Sequence, residues 1–249
     1  MWLINIHDNL KLEFIANPKK DSYAILSLTW EEEEVSFQQF SDIQSARKLR
    51  GFAKIEYICR LAEEDKLQYV WVDTCCIDKT SSAELSEAIN SMFSWYQGAA
   101  VCYVYISDFV WSPHNWDPAV FQEQLSRCRW FTRGWTLQEL LAPKRVEFYD
   151  KNWTFFNTRN SWLQHYISDV TGIEEVYLER PQSIWSAPVG VRMRWISRRK
   201  TTRPEDMAYC LLGIFNINMP LIYGEGEKAF TRLQEEICKQ TNDLSLFAW

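Results

Sequence analysis

The sequence predicts an α/β fold, with a flavodoxin-like parallel sheet covered by helices on both faces. Two observations lead to this prediction. Short apolar runs alternate with amphipathic helical segments along the first 150 residues, and each run is continuously apolar. Runs of this kind are typical of parallel strands that are buried on both faces. Right-handed crossovers between such strands produce a doubly wound sheet.

Four apolar runs are predicted to be the strands of this sheet. They are YAILSLTW (23–30), LQYVWVDTCCID (67–78), AAVCYVYISDF (99–109) and KRVEFYD (144–150). The first run meets the acidic segment EEEE, which is typical of a buried strand that ends at the surface.

Helices are predicted between these strands. The first lies within SARKLRGFAKIEYICRLAEEDK, where apolar residues recur at spacings of three and four. The second follows Ser81, which stands in the S-x-x-E relation of a capping box to Glu84. Gly98 is placed to close that helix. The third surrounds CRWFTRGWTLQEL and ends near Pro143.

The rest of the chain, 151–249, is predicted to be an aromatic-rich, mostly helical extension packed on the core formed by 1–150. The whole chain, 1–249, is then a single domain, since no flexible linker separates the two parts. A helix opened by Pro204, with acidic residues in its first turn, and another from about Glu225 are expected in the extension. Tryptophans stand among turn formers before these helices, at Trp153, Trp162, Trp185 and Trp195.

Composition excludes several classes of function. The net charge is −6, so no broad positive field favours nucleic acid or an anionic membrane. The basic cluster is interpreted as a solvated face or as partners for carboxylates, and it consists of Arg192, Arg194, Arg198, Arg199, Lys200 and Arg203. Seven cysteines and three scattered histidines do not have the spacing of a metal site. No signal peptide or long apolar span is apparent, so a cytoplasmic protein without a membrane span is expected.

The motifs of three common chemistries are missing from the sequence. None of the eight glycines forms a dinucleotide-binding G-x-G-x-x-G, a phosphate loop or a nucleophile elbow. Hydride transfer, P-loop NTPase chemistry and serine hydrolysis are therefore disfavoured.

Polar residues after the predicted strands are candidates for a ligand site, because ligands bind outside the carboxyl ends of parallel strands. These residues are Ser27, Thr29 and Trp30, then Asp73, Asp78 and Lys79, then Ser107 and Asp108. Ser27 and Thr29 could instead cap or turn the chain. Asp73 is equally consistent with a structural brace and with a ligand contact. Cys75 and Cys76 are expected to be packed, since no histidine is near in sequence to activate a thiol.

Trp135 and Glu139 are one helical turn apart, on the side of the third helix opposite to its leucines. Glu139 alone would be interpreted as a solvated carboxylate. The neighbouring tryptophan weakens that interpretation, because an indole on the polar side of a helix needs a cover.

Several long strings resemble the fungal heterokaryon incompatibility (HET) domain, in the form found N-terminal to NACHT modules. They are YAILSLTW, VWVDTCCIDKTSSAELSEAINSMFSWY, CRWFTRGWTLQELLAP and RRKTTRPEDMAYCLLGIFNINMPLIYGEGEKAFTRLQEEI. The resemblance covers nearly the whole chain and implies a cell-death effector of fungal non-self recognition. The closing string DLSLFAW resembles the point where such domains continue into a regulatory module.

HET domains are in turn distantly similar to Toll/interleukin-1 receptor (TIR) domains, many of which cleave NAD+. In the TIR pattern a tryptophan precedes the catalytic glutamate by four positions, and Trp135 and Glu139 match this spacing. The resemblance implies a catalytic Glu139, with NAD+ or a related nucleotide as substrate rather than cofactor. The predicted substrate-binding residues are Ser27, Thr29, Trp30, Asp73 and Trp135. Leu28 and Glu31 depart from the histidine and glycine that the family commonly has at these positions.

Three functions remain open at this level. The first is a TIR-like NAD+ glycohydrolase. The second is a non-enzymatic scaffold that acts by self-association and partner recruitment, and the third is a nucleotide-binding sensor without turnover. The resemblance also implies a homo-oligomer in the active state and a C-terminal NACHT-type module as partners.

Overall fold

The structure is a computed structural model that describes residues 1–247, with the side chain of Asn115 excepted. The predicted boundary string DLSLFAW therefore extends outside the described residues at Ala248 and Trp249.

Within residues 1–247, seven strands form a mixed sheet in the spatial order β2-β1-β4-β3-β5-β6-β7. The strands are β1 (Trp2–Asn5), β2 (Lys11–Phe14), β3 (Tyr23–Leu28), β4 (Tyr69–Trp71), β5 (Val101–Tyr105), β6 (Val146–Tyr149) and β7 (Phe155–Thr158). Four of these described strands, β4-β3-β5-β6, are parallel neighbours. They correspond to the four predicted runs, so the α/β class is confirmed.

The prediction of an all-parallel sheet is wrong at both edges of the sheet. β1 pairs antiparallel with both β2 and β4, and β7 pairs antiparallel with β6. These additional strands have four residues each, and β2 and β7 contain exposed positions. The outermost strands β2 and β7 need no continuous apolar run, because one side of each is unpaired and their faces are partly open to solvent.

Helices and short 3-10 segments connect and cover the strands. The α-helices are α1 (Phe37–Phe40), α2 (Ile43–Ala46), α3 (Phe52–Glu64), α4 (Ser82–Gly98), α5 (Pro118–Arg127), α6 (Arg129–Thr132), α7 (Thr136–Leu141), α8 (Leu163–Thr171), α9 (Glu175–Glu179), α10 (Val189–Ile196), α11 (Asp206–Tyr209), α12 (Leu212–Phe215) and α13 (Lys228–Gln240). The 3-10 helices are Pro113–Asn115, Pro181–Ser186 and Leu244–Phe247.

Neighbouring residues of the central strands contact opposite layers. Leu26 of β3 is in register with Tyr103 of β5, and the Tyr103 hydroxyl donates to the Leu61 carbonyl of α3 at 3.2 Å. The next residue, Ser27, donates instead to Glu139 of α7. Since successive side chains of a strand point to opposite faces, α3 and α7 cover opposite faces of the sheet. All six residues of β3 are buried between these layers.

The third predicted helix is interrupted in the structure. Cys128 and Arg133 have extended backbones, with ψ angles of 128° and 140°, and they separate α5, α6 and α7. Arg133 forms a parallel bridge with Lys200 of the extension, and the Gly134 amide donates to the Lys200 carbonyl at 2.9 Å. Pairing with the extension thus replaces helical hydrogen bonds at this point.

The extension contributes to the same core as the sheet. Leu233 and Ile237 of α13 are buried, as their helical spacing predicted. The helix predicted at Pro204 begins at Asp206 and is only one turn long. None of the helices in the described part of the chain has the length and apolar character that a bilayer span requires.

Candidate functional site

A cavity of about 360 Å³ lies at the carboxyl ends of β3 and β4. It is lined by Leu28, Thr29, Trp30, Asp73, Ile77, Lys79, Leu85, Ile89, Met92, Tyr96, Arg133, Trp135, Thr136, Glu139, Thr202, Arg203, Asp206 and Tyr223. Two strand ends, two helices and the extension therefore each supply a wall. Such a volume is in the range of sites that hold small organic ligands.

Glu139 lies on the inner wall of this cavity, and only 7% of its surface is exposed. The Ser27 hydroxyl donates to its Oε2, and the Trp130 indole Nε1 donates to the Ser27 Oγ at 2.8 Å. The Tyr96 hydroxyl donates to the Leu26 carbonyl at 3.3 Å and lies near the Glu139 carboxyl. Ser27 and Trp130 thus fix one carboxyl oxygen from behind, on the side away from the cavity.

Burial raises the pKa of Glu139 to about 8. The hydroxyls of Ser27 and Tyr96 act in the opposite direction, whereas the nearby charge of Asp73 raises the pKa further. A carboxyl with a pKa near neutrality can both bind and release a proton under physiological conditions. Perturbation of this kind is common at functional sites.

α7 was predicted to have one apolar and one polar side, and the structure differs. All six residues of α7 are buried, because the side that carries Glu139 packs against β3 and α4 of the core, while α9 of the extension also contacts this helix. Trp135 immediately precedes the helix, and it lines the cavity together with Glu139. The indole of Trp135 lies beside Asp206 of the extension, where it opposes the rise in the pKa of that carboxyl, so the tryptophan is partly covered by a segment distant in sequence.

Two buried arginines hold α7 at its ends. Arg199 donates to the Arg133 carbonyl and to the Thr136 Oγ1, both at 2.9 Å. Arg159 donates to the Leu140 carbonyl at 2.6 Å. Burial lowers the pKa of each guanidinium to about 10. These side chains fix the helix that carries Glu139, and nothing in their local sequence distinguishes them from exposed arginines.

Trp30 and Asp73, which follow β3 and β4, form another wall of the cavity. The Trp30 indole Nε1 donates to the Asp73 Oδ2 at 2.7 Å, and the Lys79 ammonium lies 3.7 Å from the centroid of the Trp30 ring. Burial raises the pKa of Asp73, although Lys79 and Trp30 oppose this shift. The Asp73 side chain thus braces Trp30 and also faces the cavity.

Asp206, Arg203 and Tyr223 are cavity residues that the sequence analysis did not identify as site residues. The Tyr223 hydroxyl donates to the Asp206 Oδ1 at 3.0 Å, and the Arg203 guanidinium lies 4.6 Å from the centroid of the Tyr223 ring. Burial raises the pKa of Asp206. The only signal for them in the sequence was the family-like string around Pro204, which gave no positions in space.

Glu205 fixes the loop that carries Tyr223. Its Oε1 accepts from the backbone amides of Gly224, at 2.7 Å, and Gly226, at 3.0 Å. Both glycines have positive φ angles, 103° and 62°, a region that glycine enters without steric cost. The carboxylate was expected only to favour the N-terminus of a helix, and in the structure it organises this loop.

Most of the predicted site residues come together at the cavity, namely Thr29, Trp30, Asp73, Trp135 and Glu139. Ser27 was also predicted to contact the substrate, but it is fully buried and lies behind Glu139 instead of lining the cavity. Its position within β3 directs its side chain into the layer between the sheet and α7.

Lys79, another strand-end candidate, also lines the cavity, whereas Asp78, Ser107 and Asp108 lie outside it. Asp78 accepts from the Thr80 amide at 2.9 Å, the backbone role that was expected of it. Asp108 accepts from the Arg129 amide at 2.9 Å, and Ser107 accepts from the Arg129 side chain. Across residues 1–247, no three His, Cys, Asp or Glu side chains are grouped so that they could hold a metal ion.

Comparison with known proteins identifies the family. The sequence model of the heterokaryon incompatibility protein (HET) family matches residues 23–112, and a model of a domain of unknown function matches residues 228–249. The chain is 50% identical over 229 residues to the vegetative incompatibility protein HET-E-1 of Podospora anserina, an alignment that covers 90% of the chain. The chain belongs to the HET family.

The resemblance seen in the sequence is thereby confirmed for this HET domain. The matched segment is 16% of the length of HET-E-1, which is a much larger protein. No solved structure matches the chain. Leu28, one of the departures from the usual HET pattern, lines the cavity, whereas Glu31 forms ion pairs with Lys54 and Arg129.

Proposed function

We propose that this HET domain is a cell-death effector of fungal heterokaryon incompatibility that cleaves the bond between nicotinamide and ribose in NAD+. The observation that carries the proposal is Glu139, a buried carboxyl on the wall of a cavity of suitable size. The name of its relative, a vegetative incompatibility protein, supports the biological role.

The topology supports a TIR-like and flavodoxin-like fold within this proposal. In chain order the parallel strands are β3, β4, β5 and β6, and in space they follow the order second, first, third, fourth. Flavodoxin-like sheets have this order, and their ligands bind at the carboxyl ends of the strands. The cavity occupies that edge of the sheet.

The chemistry requires one well-placed carboxylate. When the glycosidic bond breaks, its electron pair goes to the nicotinamide ring, which leaves as a neutral molecule, and positive charge develops on the ribose. A desolvated carboxylate stabilises this oxocarbenium-like state. Water then adds to the ribose carbon and loses a proton, which Glu139 can accept because its pKa is near 8. The products are ADP-ribose, nicotinamide and a proton.

The other cavity residues are chemically suited to the nicotinamide and adenine ends of NAD+. Trp30 and Trp135 present indoles to the cavity, and aromatic rings of this kind stack on nicotinamide or adenine. Asp73 and Asp206 are hydrogen-bond acceptors for ribose hydroxyls or for the amide of nicotinamide.

We further propose that the domain acts in the cytoplasm, self-associates when active, and is controlled by a C-terminal NACHT-type module. The much greater length of HET-E-1 leaves room for such a module in that relative.

The test compares the wild type with Glu139→Gln, which keeps the size and hydrogen-bonding capacity of the side chain. Both proteins are fused to a tetramerising segment, so that assembly does not limit the reaction, and nicotinamide release from NAD+ is followed by chromatography. We expect Glu139→Gln to lower the rate at least about 100-fold, as loss of a general base does. Glu123→Gln, the same change at an exposed position of α5, should leave the rate unchanged.

A domain that kills only as a non-enzymatic scaffold would give a different result in these experiments. If killing in fungal cells survives Glu139→Gln while the variant keeps the wild-type melting temperature, the domain acts by recruitment and the glycohydrolase is rejected. Equal nicotinamide release by the wild type and Glu139→Gln would also reject the proposed role of this carboxyl.

A further inference from the structure

The outer rim of the cavity carries cations that form no ion pair with the described acidic residues, although Asp73 and Asp206 lie near enough to influence Lys79 and Arg203. Lys79, Arg133 and Arg203 all line the cavity, and across the described residues 1–247 none of them forms an ion pair within 4.0 Å. Other basic side chains near the sheet, such as Lys54 and Arg129, are paired with carboxylates. The rim cations therefore retain charge that the protein itself does not neutralise at short range.

Contacts with rings and hydroxyls hold these side chains in place. Lys79 is over the Trp30 ring and Arg203 is over the Tyr223 ring. Arg133 Nη1 donates to the Thr202 Oγ1 at 3.3 Å. A cation over an aromatic face keeps its charge while losing part of its hydration, which lowers the cost of binding an anion.

The backbone brings the two arginines to the same side of the cavity. Arg133 precedes α7, whereas Arg203 belongs to the extension, yet the segments are paired in parallel. The Lys200 amide donates to the Thr132 carbonyl at 2.7 Å, and the Lys200 carbonyl accepts from the Gly134 amide at 2.9 Å. Lys79 comes from the other side, in the loop after β4. The rim thus combines charges from both sides of the entrance.

The distribution of charge indicates a ligand with two different ends. The walls also carry the carboxyl groups of Asp73, Glu139 and Asp206, so a simple anion would meet repulsion inside. A molecule with an anionic part at the rim and a neutral or cationic part inside meets favourable charges in both places. Arginine matches the geometry of phosphate oxygens, and lysine adds a compact charge.

We infer that Lys79, Arg133 and Arg203 bind the phosphate groups of a nicotinamide nucleotide whose cationic ring lies near Glu139. This inference rests on the proposed function and narrows its substrate class to phosphorylated nucleotides. Nicotinamide riboside, which has the same glycosidic bond and no phosphate, would then be a poor ligand.

The experiment measures binding by calorimetry in the Glu139→Gln background, where no ligand is consumed. ADP-ribose, NAD+, nicotinamide mononucleotide and nicotinamide riboside are titrated at low salt. We expect Arg203→Gln and Arg133→Gln to raise the Kd of ADP-ribose at least about tenfold each, the scale of a charge-assisted hydrogen bond. Nicotinamide riboside should bind at least about tenfold more weakly than the mononucleotide, and its Kd should be unaffected by either substitution.

Arg198→Gln is the matched control, since this exposed arginine lies in the same basic cluster and does not line the cavity. It should leave every Kd unchanged. ADP-ribose affinities that are equal in the parent and in the Arg133 and Arg203 variants would overturn the inference. So would the absence of ADP-ribose binding to the parent at millimolar concentration.

The two proposals can fail separately. If the wild type releases no nicotinamide while ADP-ribose binding still depends on Arg133 and Arg203, the cleavage reaction is wrong and the phosphate site stands. If nicotinamide is released and the arginine substitutions change neither KM nor Kd, the cleavage stands and the phosphate site is wrong.

Discussion

The inner wall and the outer rim of the cavity differ in how they treat charge. The inner wall, formed by Tyr96, Thr136 and Glu139, is at most 7% exposed, and its polar groups bond to protein atoms. The rim, formed by Trp30, Lys79, Arg133 and Arg203, includes an indole that is 49% exposed and cations without ion-pair partners in the described residues. Desolvation is therefore the main influence on the inner wall, where it changes the pKa of Glu139. The rim combines accessible charge with partial burial, which lowers the pKa of Lys79 against the opposing charge of Asp73.

The largest expected effect is on the pH dependence of stability. Burial raises the pKa of Glu139 to about 8 from an ordinary 4.5, so the folded protein binds a proton that the unfolded chain releases in this range. The free energy of unfolding should fall as pH rises from 4.5 through 8, by as much as about 5 kcal/mol from this group. Urea unfolding of the wild type and of Glu139→Gln at pH 5 to 9 measures this difference.

In Glu139→Gln this part of the pH dependence should be missing, whereas Glu123→Gln should keep it. Asp73, whose pKa burial also raises, remains in both proteins, so that its contribution differs between them only through its coupling to the charge of Glu139. Parallel pH profiles for the wild type and Glu139→Gln would show that the inner wall does not desolvate this carboxyl.

The second effect is on the pH dependence of the proposed NAD+ cleavage. If the ionised form of Glu139 is the active one, kcat/KM for NAD+ should rise roughly 50-fold between pH 6 and pH 8, since this parameter reports the pKa of the free enzyme. Asp73→Asn should move the inflection to lower pH, because the charge of Asp73 raises the pKa of Glu139. Stopped-assay profiles of nicotinamide release that are flat below pH 8 would contradict this role.

The smallest effect concerns the support behind the inner wall. Ser27→Ala removes a donor to Glu139 and leaves the Trp130 indole without its acceptor. We expect kcat/KM at pH 7 to fall about tenfold, and the inflection to move to higher pH because the lost hydrogen bond lowered the pKa of Glu139. Ser107→Ala, a serine after β5 that does not line the cavity, is the control. A lower rate with an unchanged inflection would assign Ser27 only to stability.

The sequence predicted the cavity residues at the strand ends and on α7 better than those of the extension, for a physical reason. Buried parallel strands leave continuous apolar runs, and the carboxyl end of each run points to the sheet edge where Thr29 and Asp73 lie. The spacing of Trp135 and Glu139 is local along the chain. Arg203 and Asp206 reach the cavity only through tertiary contacts, which no local spacing encodes.

Local sequence patterns also predicted the wrong structure where backbone pairing with a distant segment replaced helical hydrogen bonds. The helix predicted around Arg133 is broken because its amides and carbonyls pair with Lys200. Arg159 and Arg199 are buried although arginine is usually exposed, since carbonyl groups around α7 accept their hydrogen bonds. Such pairings depend on segments that are far apart in sequence.

The pairing between Lys200 and the residues before α7 limits how far the gene can be shortened. Cavity residues extend from Leu28 to Tyr223, whereas the segment matched by the HET family model stops at residue 112. A fragment made to those limits would lack Glu139, and one cut at residue 150 would keep Glu139 but lose Arg203 and the cover over Trp135. Any shortened form of this domain that keeps the whole cavity must therefore retain the chain through at least residue 223.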